Sequence, residues 1–281
     1  MPPLECIAIV GVGLIGGSIG LAAQARKVAR RVVGIGRRAS SLRQARECGA
    51  VTETTTSLAR GVRSAELVIL CTPVEAVIPT LLEALPHCRE GAILTDAAST
   101  KEQIAAALPT EWPKGTAFVP GHPIAGSEKK GPAAARSDLF EERTVVLTPL
   151  AATPPQAAEF VGAFWKRLGA NVVSMSPSEH DTAMAAVSHL PHVLASALAA
   201  ATPEELLPLV GSGWQDTCRV ASGDVELWRQ ILETNRAAVL KSLDKFGKVL
   251  AEIRRALRDD DRSALTALLE AGKATRDSVG N

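Results

Sequence analysis

Short runs of apolar, often β-branched residues alternate with longer amphipathic stretches through the first two thirds of the chain, and then the runs stop. The candidate strands are "CIAIVG" (6–11), "RVVGIG" (31–36), "ELVILCT" (66–72), "AILTD" (92–96), "AFVPG" (117–121) and "TVVLTP" (144–149). They show little polar–apolar alternation, as expected of strands covered on both faces in a parallel sheet. Helical spacing over 14–29, 40–48, 74–85 and 100–108 fills the gaps, with Ser40 placed to cap the second helix. "TPLAATPPQ" (148–156) reads as a linker, after which a helix over 156–168 and a strand "NVVSM" (171–175) form one last βαβ unit of the same sheet. Beyond Pro177 only helical patterns remain, at about 178–201, 203–210, 224–257 and 260–276. The pattern therefore predicts an α/β domain over 1–176, with a doubly wound, mostly parallel sheet, and an all-α domain over 177–281.

Composition narrows the class. A chain of 281 residues accommodates two domains, and its net charge of +1, from 31 basic and 30 acidic residues, provides no overall field for nucleic acid or an anionic membrane. The five cysteines (Cys6, Cys48, Cys71, Cys88, Cys218) are odd in number and form no CxxC pair, which argues against a disulfide framework or a structural zinc site and for a reducing, cytoplasmic compartment. The apolar stretch "IAIVGVGLIGGSIGLAA" (7–23) has the hydropathy of a targeting segment, but the preceding "MPPLE" carries no basic residue and the stretch is punctuated by glycines at ordered spacing. No other run is expected to reach the roughly 20 apolar residues a membrane helix needs.

Those glycines carry the first chemistry. Gly11, Gly13 and Gly16 form G-x-G-x-x-G between the first strand and the first helix, the dinucleotide-binding fingerprint of a Rossmann-type fold. Gly11 permits the tight turn, Gly13 lets a pyrophosphate approach the backbone, and Gly16 allows the helix to pack on the strand, with Leu14 and Ile15 in the helical first turn that faces the phosphates. About 20 residues on, such folds place an acidic residue on the ribose 2′-hydroxyl. Here "GIGRRASSL" (34–42) has Gly36 instead, followed by Arg37, Arg38 and Ser40. Forked guanidinium donors suit a 2′-phosphate, so NADP is the expected cofactor and NAD the alternative, with Arg37 the principal ligand. Thr72 and Pro73, at the carboxyl end of the third candidate strand, complete the cofactor set.

A second cluster, "GHPIAGSEKKG" (121–131), follows the fifth candidate strand and puts His122 at the carboxyl edge of the sheet, where ligands of such folds bind. "TDAASTK" (95–101) brings Ser99 to the same edge. Together with "GVGLIGGSIG", "SHLPH" (188–192) and "DTCRVASGDVELWRQILETN" (216–235), these motifs resemble, in order and over about residues 6–250, the prephenate and arogenate dehydrogenases of tyrosine biosynthesis. The resemblance implies oxidative decarboxylation. Hydride leaves the ring carbon bearing the hydroxyl for NAD(P), the ring carboxylate departs as CO2, and the ring becomes aromatic, giving 4-hydroxyphenylpyruvate from prephenate or tyrosine from arogenate.

Carried over residue by residue, the resemblance makes His122 the acceptor of a hydrogen bond from the substrate hydroxyl, with Ser99 sharing that contact. Glu128 shapes the substrate entrance, His192 and Trp228 line the pocket, and Arg219 binds a substrate carboxylate. Two departures stand out: Cys218 replaces a threonine usual before that arginine, and Gly36 replaces the acidic residue common in NAD-using members. An ordinary imidazole near 6.5 predicts rates that rise with pH through that region. His189 and His192 stand three apart but lack a third ligand at useful spacing, so no metal site is expected. Long apolar faces in the helical half predict a homodimer. Two other readings stay open, a dehydrogenase or reductase of the 3-hydroxy acid or pyrroline-carboxylate type and a non-catalytic NADP-binding sensor; neither requires "GHPIAGSE".

Overall fold

The computed structural model describes residues 2–127 and 129–279. It comprises two compact units, Met1–Asn235 and Arg236–Asn281.

In the first unit, β1 (Leu4–Val10), β2 (Ala29–Ile35), β3 (Glu53–Thr55), β4 (Leu67–Leu70), β5 (Ile93–Asp96) and β6 (Ala117–Val119) form a parallel sheet in the order β3-β2-β1-β4-β5-β6. α1 (Leu14–Ala25), α2 (Ala39–Glu47), α3 (Leu58–Val62), α4 (Val74–Ala84) and α5 (Glu102–Ala106) connect the strands. Along β1, Ile7 and Ile9 face one buried cluster, with Ile19 of α1, while Ala8 and Val10 face the other, with Val77 and Leu81 of α4. Burial on both faces is why the strands read as unbroken apolar runs. The two elements absent from the sequence pattern, β3 and α3, are a polar three-residue edge strand and a five-residue helix, both too short to set up a period.

The expectation of one continuous sheet is corrected. The run "AFVPG" is split by Pro120: β6 ends at Val119, and β7 (Gly121–Pro123) enters a separate three-stranded sheet. There it pairs antiparallel with β8 (Thr144–Leu147), which pairs parallel with β9 (Asn171–Ser174) after α6 (Pro155–Arg167). Proline has no N–H to continue a ladder, so the chain changes partner at that residue. Phe164 and Trp165 of α6 still pack into the cluster that contains Ile7 and Ile9, which joins the two sheets through one core. α2 begins at Ala39 with Arg38 at its cap position and no side-chain cap, so Ser40 lies inside the first turn and is not the cap.

From Pro177 the chain is helical. α7 (Pro177–Met184) starts with a capping box between Ser176 and Glu179, passes through a π-helical turn at Ala185–His189, and continues as α8 (Leu190–Ala201). The wide turn falls beside Pro191, which cannot donate to the preceding turn. This continuous helix of 25 residues contains an 18-residue window of mean hydropathy 1.4 and is long and apolar enough to cross a membrane by length and composition, contrary to the sequence expectation that no such run exists. It also bears buried His180, Asp181, His189 and His192. α9 (Ser212–Cys218), a 3-10 turn (Arg219–Ser222) and α10 (Val225–Thr234) complete the unit. The helix expected over 224–257 is broken at Asn235, whose buried side chain is used in hydrogen bonding described below. The second unit is a helical pair, α11 (Arg236–Arg258) and α12 (Arg262–Ser278), the latter capped by Asp261.

Candidate active site

At the nucleotide end the three glycines take separate roles. Gly11 has φ +96°, and a Cβ there would lie 2.4 Å from the Cys71 carbonyl oxygen; one on Gly16 would lie 2.2 Å from the Gly11 carbonyl oxygen. A Cβ on Gly13 would meet nothing within 4 Å, so the backbone there is open to a ligand. α1 begins without a side-chain cap and without an acidic residue in its first turn, which leaves the first N–H groups at Leu14, Ile15 and Gly16 and the positive end of the helix dipole for an anion. These residues fit the pyrophosphate of a dinucleotide. Thr72 and exposed Pro73 lie at the carboxyl end of β4, across from Gly11, and the buried Thr72 hydroxyl has no hydrogen-bond partner among the described residues. Gly36, Arg37, Arg38 and Ser40 follow the end of β2; both arginines are exposed and make no ion pair among the described residues.

The second cluster lies next to the first. A Cβ on Gly126, in the loop after His122, would meet Ile15 Cδ1 at 3.8 Å, so this loop folds over the start of α1. Beneath it is a buried polar network. Asp96, at the end of β5, accepts from Gly121 N through Oδ1 (3.1 Å) and from Ala98 N through Oδ2 (2.9 Å). Lys101 donates to Asp96 Oδ2 and to the Gly121 carbonyl (2.8 Å), with both side chains wholly inaccessible to solvent. Loss of hydration lowers the pKa of Lys101, and the neighbouring Asp96 carboxylate opposes that shift. The network ties the backbone next to His122 to the loop that carries Ser99. Ser99 is partly buried, and its hydroxyl has no partner among the described residues.

His122 is partly buried, and its Nδ1 lies 2.9 Å from Nε2 of His180, the ring planes meeting at 71°. His180 Nδ1 in turn lies 2.7 Å from Asp181 Oδ1. Asp181 also accepts from the backbone N–H of Lys101 (2.8 Å) and of Glu102 (2.9 Å), at the start of α5. Asn235 Nδ2 donates to the Asp181 carbonyl (2.7 Å) and contacts His189 Nδ1 (3.1 Å). Loss of hydration holds His122 well below the ordinary imidazole value, aided by His180, Lys101 and His189 around it, and burial lowers His189 to about 4. The expectation of an ordinary imidazole titrating near 6.5 is therefore corrected: His122 stays neutral through that range.

His189 meets Trp228 edge-on, with centroids 6.1 Å apart, and His192 stacks on the same indole at 3.6 Å and 8°. A Cβ on Gly223 would sit 2.4 Å from Trp228 Nε1, so only glycine leaves room for the indole there. An unbroken series of contacts thus runs from His122 through His180, Asp181, Asn235 and His189 to Trp228 and His192. The 3-10 turn that starts at Arg219 packs on α8, and Arg219 itself is exposed and has no side-chain partner among the described residues. Glu128 lies outside the described residues. Asp96, Lys101, His180, Asp181, Asn235 and Gly223 were not singled out by sequence reasoning. Asp96 and Lys101 flank Ser99 within one quoted motif, and Gly223 and Asn235 lie within another; the contacts of His180, Asp181 and Asn235 cross 46 to 80 residues of chain and leave no local signal.

A doubly wound sheet with a glycine fingerprint, an open pyrophosphate cradle and a neutral imidazole beside it defines a nicotinamide-nucleotide-dependent oxidoreductase. The nucleotide-binding domain of prephenate dehydrogenase matches residues 19–174 and its dimerization domain matches residues 176–271. The chain belongs to the prephenate dehydrogenase family. It is 35% identical to the prephenate dehydrogenase of Bacillus subtilis over 283 residues, 98% of this chain and 76% of that protein. The crystal structure of prephenate dehydrogenase from Aquifex aeolicus, in complex with hydroxyphenyl propionate and NAD+, superposes with a TM-score of 0.91 at 30% identity, covering 98% of each chain. That of Synechocystis arogenate dehydrogenase gives 0.82 at 31% identity, over 98% of this chain and all of that one.

Proposed function

We propose that the chain oxidatively decarboxylates prephenate, arogenate or both, with His122 as the group that accepts the substrate hydroxyl's hydrogen bond. The observation that carries this reading is a neutral imidazole, anchored from behind at Nδ1, just before a loop that folds over the nucleotide turn. When bound, the nicotinamide nucleotide supplies the hydride acceptor. The hydroxyl proton leans onto His122 as hydride departs and returns to oxygen as CO2 leaves and the ring aromatises, so no proton is consumed overall. Ser99, its hydroxyl without a partner among the described residues, shares that contact. Arg219 is assigned a substrate carboxylate, and His192 with Trp228 forms an aromatic wall.

NADP is assigned as the preferred cofactor because Arg37 and Arg38, without an ion-pair partner among the described residues, stand where an acidic residue would exclude a 2′-phosphate. Residues 1–176 serve the nucleotide, and residues 177–281 serve substrate and dimerisation. Exposed Val187 and Leu198 in the first unit and Leu240, Leu250 and Leu257 in the second support a homodimer. The free cysteines support a cytoplasmic location. Reduced-nucleotide formation, followed by absorbance with prephenate and then arogenate against NADP and NAD, tests the activity. Turnover of at least one substrate is expected, faster with NADP, and no turnover of either would overturn the reading.

A further inference from the structure

We propose that His180 and Asp181 are positioning residues that fix His122 as the Nδ1–H tautomer, leaving Nε2 bare to receive the substrate hydroxyl. The inference rests on the reading of His122 as the hydroxyl's acceptor, and the hydrogen-bond geometry carries it further. Backbone N–H groups can only donate, and those of Lys101 and Glu102 already commit both Asp181 oxygens to accepting. The 2.7 Å contact to His180 Nδ1 is then a third accepted bond, and His180 carries its proton on Nδ1. With a single ring proton, placed on Nδ1, His180 presents a lone pair at Nε2, and the 2.9 Å contact is then completed by His122 Nδ1–H donating to it. The remaining ring atom of His122, Nε2, is the acceptor.

Each member is held from several sides. His180 and Asp181 are buried, at 0% and 1% exposure, on one turn of α7. Asn235 fixes the Asp181 backbone, and the Asp96–Lys101 pair fixes the backbone of Gly121, next to His122. The charged and titratable groups around the ring are therefore His180 and Asp181 on α7, His189 on the π-helical turn, and Asp96 and Lys101 on the β5–α5 loop. As the substrate proton leans onto Nε2, His122 Nδ1–H strengthens its bond to His180, and the single carboxylate at the far end balances the developing charge. No atom is gained or lost; the proton returns to the substrate oxygen as CO2 departs.

The test begins on the unmodified holoenzyme. Nitrogen-15 NMR of its histidines is expected to show His122 protonated at Nδ1 and bare at Nε2; the opposite tautomer overturns the proposal with no variant involved. Asp181→Asn offers an amide that can donate to His180 and reverse the whole series. It is expected to lower kcat roughly a hundredfold or more, to leave the KM for NADP within about twofold, and to move the His122 proton to Nε2. His180→Leu, which breaks the series at similar volume, is expected to lower kcat comparably. His122→Asn separates this proposal from the reading beneath it. If His122→Asn loses activity while Asp181→Asn and His180→Leu keep it, the positioning role is wrong and the acceptor role stands. If His122→Asn keeps full kcat, the acceptor role fails, and the tautomer measured in the holoenzyme still decides whether the pair sets the ring.

Discussion

The nucleotide end and the histidine end of the site follow opposite rules. Around Gly13, α1 has an uncapped first turn, and among the described residues the Thr72 hydroxyl is unpaired and exposed Arg37 and Arg38 have no ion-pair partner. Around His122, Asp96, Lys101, His180 and Asp181 are wholly or almost wholly buried and bonded to one another or to backbone. The first region leaves its hydrogen-bonding capacity for a ligand that comes and goes. The second uses almost all of its capacity internally, so that one imidazole is held in one orientation and one protonation state. Arg219, exposed and without a side-chain partner among the described residues, belongs with the first kind although it lies in the helical part of the chain.

The largest effect that would break this contrast lies in the buried network. Lys101→Met strands the Asp96 carboxylate without its cation and is expected to cost about 3–5 kcal/mol in urea unfolding; a loss under about 1 kcal/mol would mean that the pair is not the anchor described here. Next comes pH. His189 is held at about 4 when folded and returns to about 6.5 when unfolded. Below about 6.5 the unfolded chain binds a proton that the folded chain refuses. Stability is thus retained above that value and falls by about 2 kcal/mol between about pH 7.5 and about pH 5 from this residue alone. Because His122 is also held neutral, kcat/KM is expected to stay level as pH falls through 6.5, whereas an ordinary imidazole would halve it there.

The open end gives smaller effects, on binding and without change in Tm. Arg37→Ser is expected to reduce the preference for NADP over NAD about tenfold, measured as the ratio of kcat/KM values. Arg219→Ala is expected to raise the KM for substrate by roughly fivefold to tenfold with little change in kcat, since its guanidinium is solvated before substrate arrives. A fall in Tm without a change in KM would make Arg219 structural.

The open end was also the legible one. Gly11, Gly13 and Gly16 act through their own backbone, so spacing within six residues announces them, and the end of the second strand locates Gly36 and Arg37 by counting. His122 and Ser99 were legible because they follow strands, and strands of this fold end at the ligand. The second sheet was hidden by Pro120, which looks like the end of one strand although it separates two. His180, Asp181 and Asn235 were hidden because nothing in their local sequence states what they touch. They lie on helices whose positions are set by packing, and their contacts cross 46 to 80 residues of chain.

The most direct test of the central assignment is kcat for His122→Asn with saturating NADP and whichever of prephenate or arogenate the unmodified enzyme turns over. A fall of roughly a hundredfold or more, with the affinity for NADP unchanged, is expected if a neutral His122 accepts the substrate hydroxyl as hydride leaves; a kcat within about threefold of the unmodified enzyme would contradict it.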